Sequence, residues 1–171
     1  MSREDLKAVE IMKQTTVLNK NHYQMELPWK SQQPSQPNNR ALAERRLKLL
    51  KKRFRRDPDL FGKYSGVIDD YLRKGYCEKV PDSSLSRADG MVWYLPHHPA
   101  LHPAKPDKTR IVFDCAAKYA NTLLHDLLLQ GPDFNNSLVG VLLRFRQERI
   151  ALMFDVESMF HQVQVAPDPC D

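Results

Sequence analysis

The chain has 171 residues, is 42 % hydrophobic and 27 % charged, and carries a formal net charge of +5 at pH 7. That length fits one domain or a piece of a larger one, and no apolar run in it is long enough to cross a bilayer, so no membrane partner is expected. The charged opening MSREDLKAVEIMK does not read as a secretory signal. Cys77, Cys115 and Cys170, far apart and without C-x-x-C spacing, read as free thiols of a reducing intracellular compartment, cytoplasmic or nuclear, rather than as disulfides or a zinc site.

Residues up to about Asn21 are predicted to form one amphipathic helix with Leu6, Val9 and Met12 on a face. LPWKSQQPSQPNN follows as a polar, proline-marked linker that closes an N-terminal extension over residues 1–39. Ala41 to Arg56 is predicted as a helix, because Leu47, Leu50 and Phe54 recur at i, i+3 and i+7 while basic residues fill the remainder. Nine of the seventeen residues in RALAERRLKLLKKRFRR, Arg40 to Arg56, are Lys or Arg. Asp57-Pro58 restarts the chain as N-cap and first helical residue. A second helix then places Leu60, Tyr64, Val67 and Tyr71 on one face and stops at Lys74-Gly75. Residues 40–90 thus form a basic helical segment.

From Met91 the pattern changes. MVWYLPHHPALHP is aromatic and broken by prolines, which suits edge strands because Pro cannot donate to a sheet ladder. RIVFD, Arg110 to Asp114, is a strand candidate. Asn136-Ser137 is predicted to cap a helix LVGVLLRFRQE with Leu138, Val141, Leu142 and Phe145 on one face. IALMFD, Ile150 to Asp155, reads as a buried strand that ends on a carboxylate. The order of elements is that of an α+β fold. VAPDPCD ends without a closing element, so residues 91–171 read as a sheet with an open edge and the chain as the N-terminal portion of something longer.

An unpaired charge buried at a strand end costs several kcal/mol or more, roughly, so Asp155 calls for a partner or a metal. Mg²⁺ sites commonly use one or two protein carboxylates with substrate phosphates supplying the rest. The blander reading is an N-cap for the next helix. Lys105, Lys108 and Arg110 cluster around a turn before the strand IVFD. There they can hold a triphosphate, Arg with forked donors and Lys as a point charge, or stand at a solvated hairpin tip. The basic helix, with Arg45, Lys48, Lys52 and Arg55, reads either as a phosphate tracker or as a charged solvated face. His97, His98 and His102 lack helical spacing and a fourth ligand, which argues against zinc.

The ordered blocks YLPHHP, RIVFD, LLQGPD, NSLVGVLLRFR and DVESMFHQV, preceded by PNNRALAERRL, the Arg-Asp-Pro helix restart and KGYCEKVP, carry a resemblance. Over about Leu27 to Asp171 the chain resembles the reverse transcriptase of Pao/BEL-type LTR retrotransposons, and several blocks in one order are more specific than any single motif. The resemblance implies the fingers and partial palm of that polymerase, cut before its Tyr/Phe-x-Asp-Asp hairpin. Asp155 matches the first catalytic aspartate and metal ligand, and Val156 the residue whose carbonyl also reaches the metal. Phe160 matches the aromatic gate that clashes with a ribose 2′-hydroxyl, a discrimination by excluded volume. Arg110 matches the fingers arginine for the incoming deoxynucleoside triphosphate. Lys105 or Lys108 matches its neighbouring lysine, in a loop one residue shorter than in better-known relatives. Gln162 lies toward the template–primer side.

The implied chemistry is 3′-hydroxyl attack on a deoxynucleoside triphosphate, with Mg²⁺ as cofactor. The implied partners are an RNA or DNA template–primer and the remainder of a polyprotein that also carries ribonuclease H. The family's second aspartate pair is absent: Asp69-Asp70 is the only Asp-Asp, and it falls in a predicted helix upstream. Two-metal catalysis lacks its other ligands, and the chain alone is expected to be inactive. The alternative is a non-catalytic nucleic-acid-binding or protein-interaction remnant.

Overall fold

A computed structural model describes residues 1–31, 36–85 and 92–166, without the side chains of residues 106 and 107. The centre of the expected linker, the junction near Met91, Cys170 and the expected open end from residue 167 onward lie outside the described residues. The fold is mixed α+β and groups into two units, Met1–Pro28 with Leu129–Asp171, and Trp29–Leu128. These do not follow the segments 1–39, 40–90 and 91–171, because strand pairing joins the N-terminal residues to those near Val165.

In the first unit, helix α1 (Arg3–Thr15) begins with a capping box. The Ser2 hydroxyl accepts from the Asp5 amide at 3.0 Å, and the Ser2 amide donates to the Asp5 carboxylate at 2.7 Å. Those bonds favour the ionised acid and hold the Asp5 carboxyl below its ordinary range. The helix expected to reach Asn21 ends at Thr15. Thr15-Thr16-Val17 is β-branched and a poor helix former, and Lys20 and Asn21 both adopt positive φ, the geometry of a two-residue hairpin turn. Strands β1 (Val17–Asn19) and β2 (His22–Met25) therefore pair antiparallel, with Leu18 opposite Tyr23. Ala8, fully buried on α1, packs toward Gly131, whose φ of +73° is one that an L side chain rarely adopts.

The second unit is built on two helices and a hairpin. Helix α2 (Arg40–Arg56) and helix α3 (Pro58–Arg73) meet at Asp57, whose carboxylate accepts from the Leu60 amide at 2.9 Å. Gly75, at φ +71°, closes α3: its amide donates to Leu72 and the Tyr76 amide to Tyr71, which satisfies the last carbonyls. Strands β3 (His97–His102) and β4 (Lys105–Phe113) form an antiparallel hairpin with Ala100 opposite Arg110 and an irregularity at Leu101/His102. β4 is longer than the expected Arg110–Asp114 and takes in the whole basic turn. Leu50 of α2, Tyr64 of α3 and Ile111 of β4 are buried together, with Phe54, Val67, Ile68 and Tyr71 packed around them. Phe54 stands 4.9 Å from the Tyr64 ring and 5.4 Å from Phe61. Burying a side chain of the Leu or Ile size stabilises by about 1.5–3 kcal/mol.

The stretch 27–39, expected as a linker, ends in a buried anchor. Asn39 is 0 % exposed; its amide nitrogen donates to the Tyr94 carbonyl at 2.8 Å and its oxygen accepts from the Tyr94 amide at 2.8 Å. A one-turn helix, α4 (Leu124–Leu127), precedes an antiparallel bridge of Leu128 to Trp29.

Beyond Leu129 the first unit resumes. The helix expected over Leu138–Glu148 is shorter, α5 (Leu138–Phe145), and its Ser137 cap makes no side-chain bond. Its expected core face, Leu138, Val141, Leu142 and Phe145, is exposed. Residues 150–155 form no strand, which corrects the reading of IALMFD as buried: Met153 is 89 % and Phe154 87 % exposed. An apolar run becomes a strand only against partner strands, and none among the described residues pairs with it. Instead β5 (Val163–Val165) lies parallel to β2, completing the order β1-β2-β5. Among the described residues no helix is long and apolar enough to cross a membrane.

Candidate functional site

The residues singled out by the sequence fall in both units. In the Trp29–Leu128 unit, β4 carries Lys105, Lys108 and Arg110, all exposed. Successive strand residues alternate in direction, so Arg110 and Val112 share one face while Thr109 and Ile111 take the other. Ile111 in the core fixes that alternation over the paired residues Thr109–Phe113 and turns Arg110 to the outer face, while Lys108 lies in the irregularity, where the register gives it no partner on β3. None of the three cations forms an ion pair among the described residues. Exposed arginine and lysine side chains this close along the hairpin can grip a polyphosphate.

Helix α2 presents Arg45, Lys48, Lys52 and Arg55, all exposed. At the helical advance per residue they span an arc of roughly 80°, on the side away from Leu50 and Phe54. Glu44, the one acid of α2, accepts from Arg40 at 2.8 Å, which holds its carboxyl below the ordinary range, with Lys48 adding a smaller pull. Arg46, off the basic arc, pairs with Asp114 at 2.6 Å.

In the other unit Asp155 and Val156 are exposed and lie in an irregular segment. Ser158 takes a left-handed conformation at φ 52° and opens a 3₁₀ turn, Met159–His161, from which Phe160 projects 87 % exposed. The Gln162 side chain donates to the Glu157 carbonyl at 3.0 Å and so braces the same turn. Ring and carboxylate thus sit five residues apart on a short segment that β5 ties to β2, where the Ala166 amide donates to Met25 at 2.8 Å.

No protein-family model, curated protein or solved structure matches the chain. Whether Asp155 fits a metal is then a question for this chain's own donors. Among the described residues no three His, Cys, Asp or Glu side chains come together as a metal-binding group. Asp155 and the Val156 carbonyl are one carboxylate and one carbonyl, short of a cage for Mg²⁺.

The sequence reading missed three features of the Trp29–Leu128 unit. Asn39 was taken for linker. The Tyr64 hydroxyl bonds Nδ1 of His97, whose ring stacks on Tyr64 and meets Phe113 edge-on, so this histidine belongs to the packing rather than to a metal site. Burial pushes the Tyr64 phenol up, and burial together with the neighbouring His98 pushes the His97 imidazole down. The third is a depression of about 400 Å³ between α2 and the start of β3. The signal for His97 was its period-2 offset from Pro99 in a strand whose partner buries Ile111.

Proposed function

We propose that the chain is the fingers and the first part of the palm of a reverse transcriptase of the Pao/BEL retrotransposon type, a fragment of a polyprotein that synthesises DNA on a template. The ordered sequence blocks motivate the reading. The observation that supports it most is the β3–β4 hairpin, whose β4 strand carries Lys105, Lys108 and Arg110, all exposed, within six residues of the turn, a cluster that suits a triphosphate. The exposed apolar face of α5 and the run Ile150–Phe154 support a further part of the polyprotein as a partner, since apolar side chains at this exposure favour cover. Asp155 and Val156 would bind Mg²⁺ jointly with carboxylates from that part and with substrate phosphates. Phe160 would exclude a 2′-hydroxyl, and Arg45, Lys48, Lys52, Arg55 and Gln162 would contact the template–primer.

The alternative, a non-catalytic nucleic-acid-binding remnant, draws on the same basic arc of α2 and on the lone carboxylate of Asp155. Both readings make the chain alone inactive, and the downstream frame separates them. This chain alone should extend no primer with deoxynucleotides and Mg²⁺, and incorporation above a no-protein control would refute that. The coding frame beyond Asp171 should continue into a Tyr/Phe-x-Asp-Asp block; a stop codon there would favour the remnant.

A further inference from the structure

Helix α2 has two basic faces of different chemistry. The arc of Arg45, Lys48, Lys52 and Arg55 contains no apolar residue larger than Ala41. Roughly 130° round the helix, Arg46, Leu49, Leu50 and Arg53 face Pro96 and His98 across the depression of about 400 Å³. Its floor is leucine and proline, and Leu49 is 61 % exposed there. Its rim is cationic: Arg53 forms no ion pair among the described residues, while Arg46 is held by Asp114 at 2.6 Å.

We propose that this depression docks an acidic peptide segment of a partner protein, one large apolar side chain entering between Leu49 and Pro96 and a flanking carboxylate pairing with Arg53. The inference stands apart from the polymerase reading. Charge complementarity selects an anion: Arg46 and Arg53 line the depression and no acid does. The floor selects among anions. A nucleic acid strand stacks its bases on aromatic platforms, and no Phe, Tyr or Trp lines the depression, while the His97 ring is engaged with Tyr64 and Phe113. An apolar anchor inside a charged rim is instead the usual anatomy of a peptide hot spot.

The test uses the full chain and fluorescence anisotropy at about 0.15 M salt, where weak charge contacts between exposed groups are screened. The probes are a labelled acidic peptide with one central Phe, the same peptide with Ser in its place, and an oligothymidine of equal charge. The Phe peptide should bind at least about tenfold more tightly than the Ser peptide. Leu49→Ser and Arg53→Gln should each weaken it about tenfold, and Lys52→Gln on the other arc less than about twofold. Leu49 and Arg53 are exposed, and a thermal melt of each variant checks its fold; where Leu49→Ser melts low, Leu49→Ala with the same peptide pair replaces it. Equal affinity for the Phe and Ser peptides overturns the proposal. So does oligothymidine binding that Leu49→Ser weakens as much as the peptide's, which would make the depression a nucleic-acid site. Self-association abolished by Leu49→Ser, with no peptide binding, would also overturn it.

Discussion

Asn39→Ala should destabilise the Trp29–Leu128 unit more than any surface substitution of its size. Asn39 is fully buried and bonds both the amide and the carbonyl of Tyr94, 55 residues away, each at 2.8 Å. Two such bonds contribute about 1 kcal/mol each, and the half-buried Tyr94 groups they leave behind add part of a desolvation penalty, for a loss of about 2–3 kcal/mol. For a unit of this size that lowers the melting temperature by roughly 10–20 °C. The Tyr94 amide should also lose its protection from hydrogen exchange. Asn39→Asp sharpens the test. At neutral pH its carboxylate faces the Tyr94 carbonyl, so it should be at least as damaging as alanine. It should recover stability as the pH falls and the acid regains a proton to donate, whereas alanine should not. A loss below about 0.5 kcal/mol for Asn39→Ala in urea unfolding would refute the anchoring role.

Ile111→Ala should cost about 2–4 kcal/mol and Val112→Ala under about 1 kcal/mol, measured by urea unfolding; similar costs would mean that the alternation placing Arg110 outward is wrong. His97 carries a folded pKa lowered from its ordinary value, so the unfolded chain binds the extra proton first. Stability should therefore rise with pH through the window ending near the ordinary histidine value of about 6.5 and fall on acidification, and His97→Asn should flatten that slope in melts across pH. Replacing Arg45, Lys48, Lys52 and Arg55 by Gln should reduce the slope of log affinity for duplex against log salt by up to about 3.6, and an unchanged slope would leave the arc as a solvated face.

The helices α2 and α3 were legible because their signals are local: an apolar stripe at helical spacing, Asp57-Pro58 at a start, Lys74-Gly75 at a stop. The β1–β2 hairpin was not, since Lys20-Asn21 turns without the glycine that usually announces such a turn. Asn39 was hidden for another reason: a polar residue in a proline-marked stretch looks solvated until its partner, far off in sequence, is known. IALMFD misled in the opposite direction. Its composition suits a buried strand, but burial needs a second surface, and the described residues supply none. Of the candidate site, the closeness of Lys105, Lys108 and Arg110 was legible, but their place on a strand that runs from Lys105 was not, because the pairing that extends it is with β3. The chemistry around Asp155 depends on groups that composition alone does not bring together.

The most direct test of the proposed function is primer extension by the chain continued through its downstream coding frame, with Asp155→Asn and Phe160→Ala beside it. The account predicts Mg²⁺-dependent deoxynucleotide incorporation that Asp155→Asn abolishes, and ribonucleotide incorporation gained in Phe160→Ala. Extension that persists in Asp155→Asn, or ribonucleotide discrimination unchanged in Phe160→Ala, would contradict it.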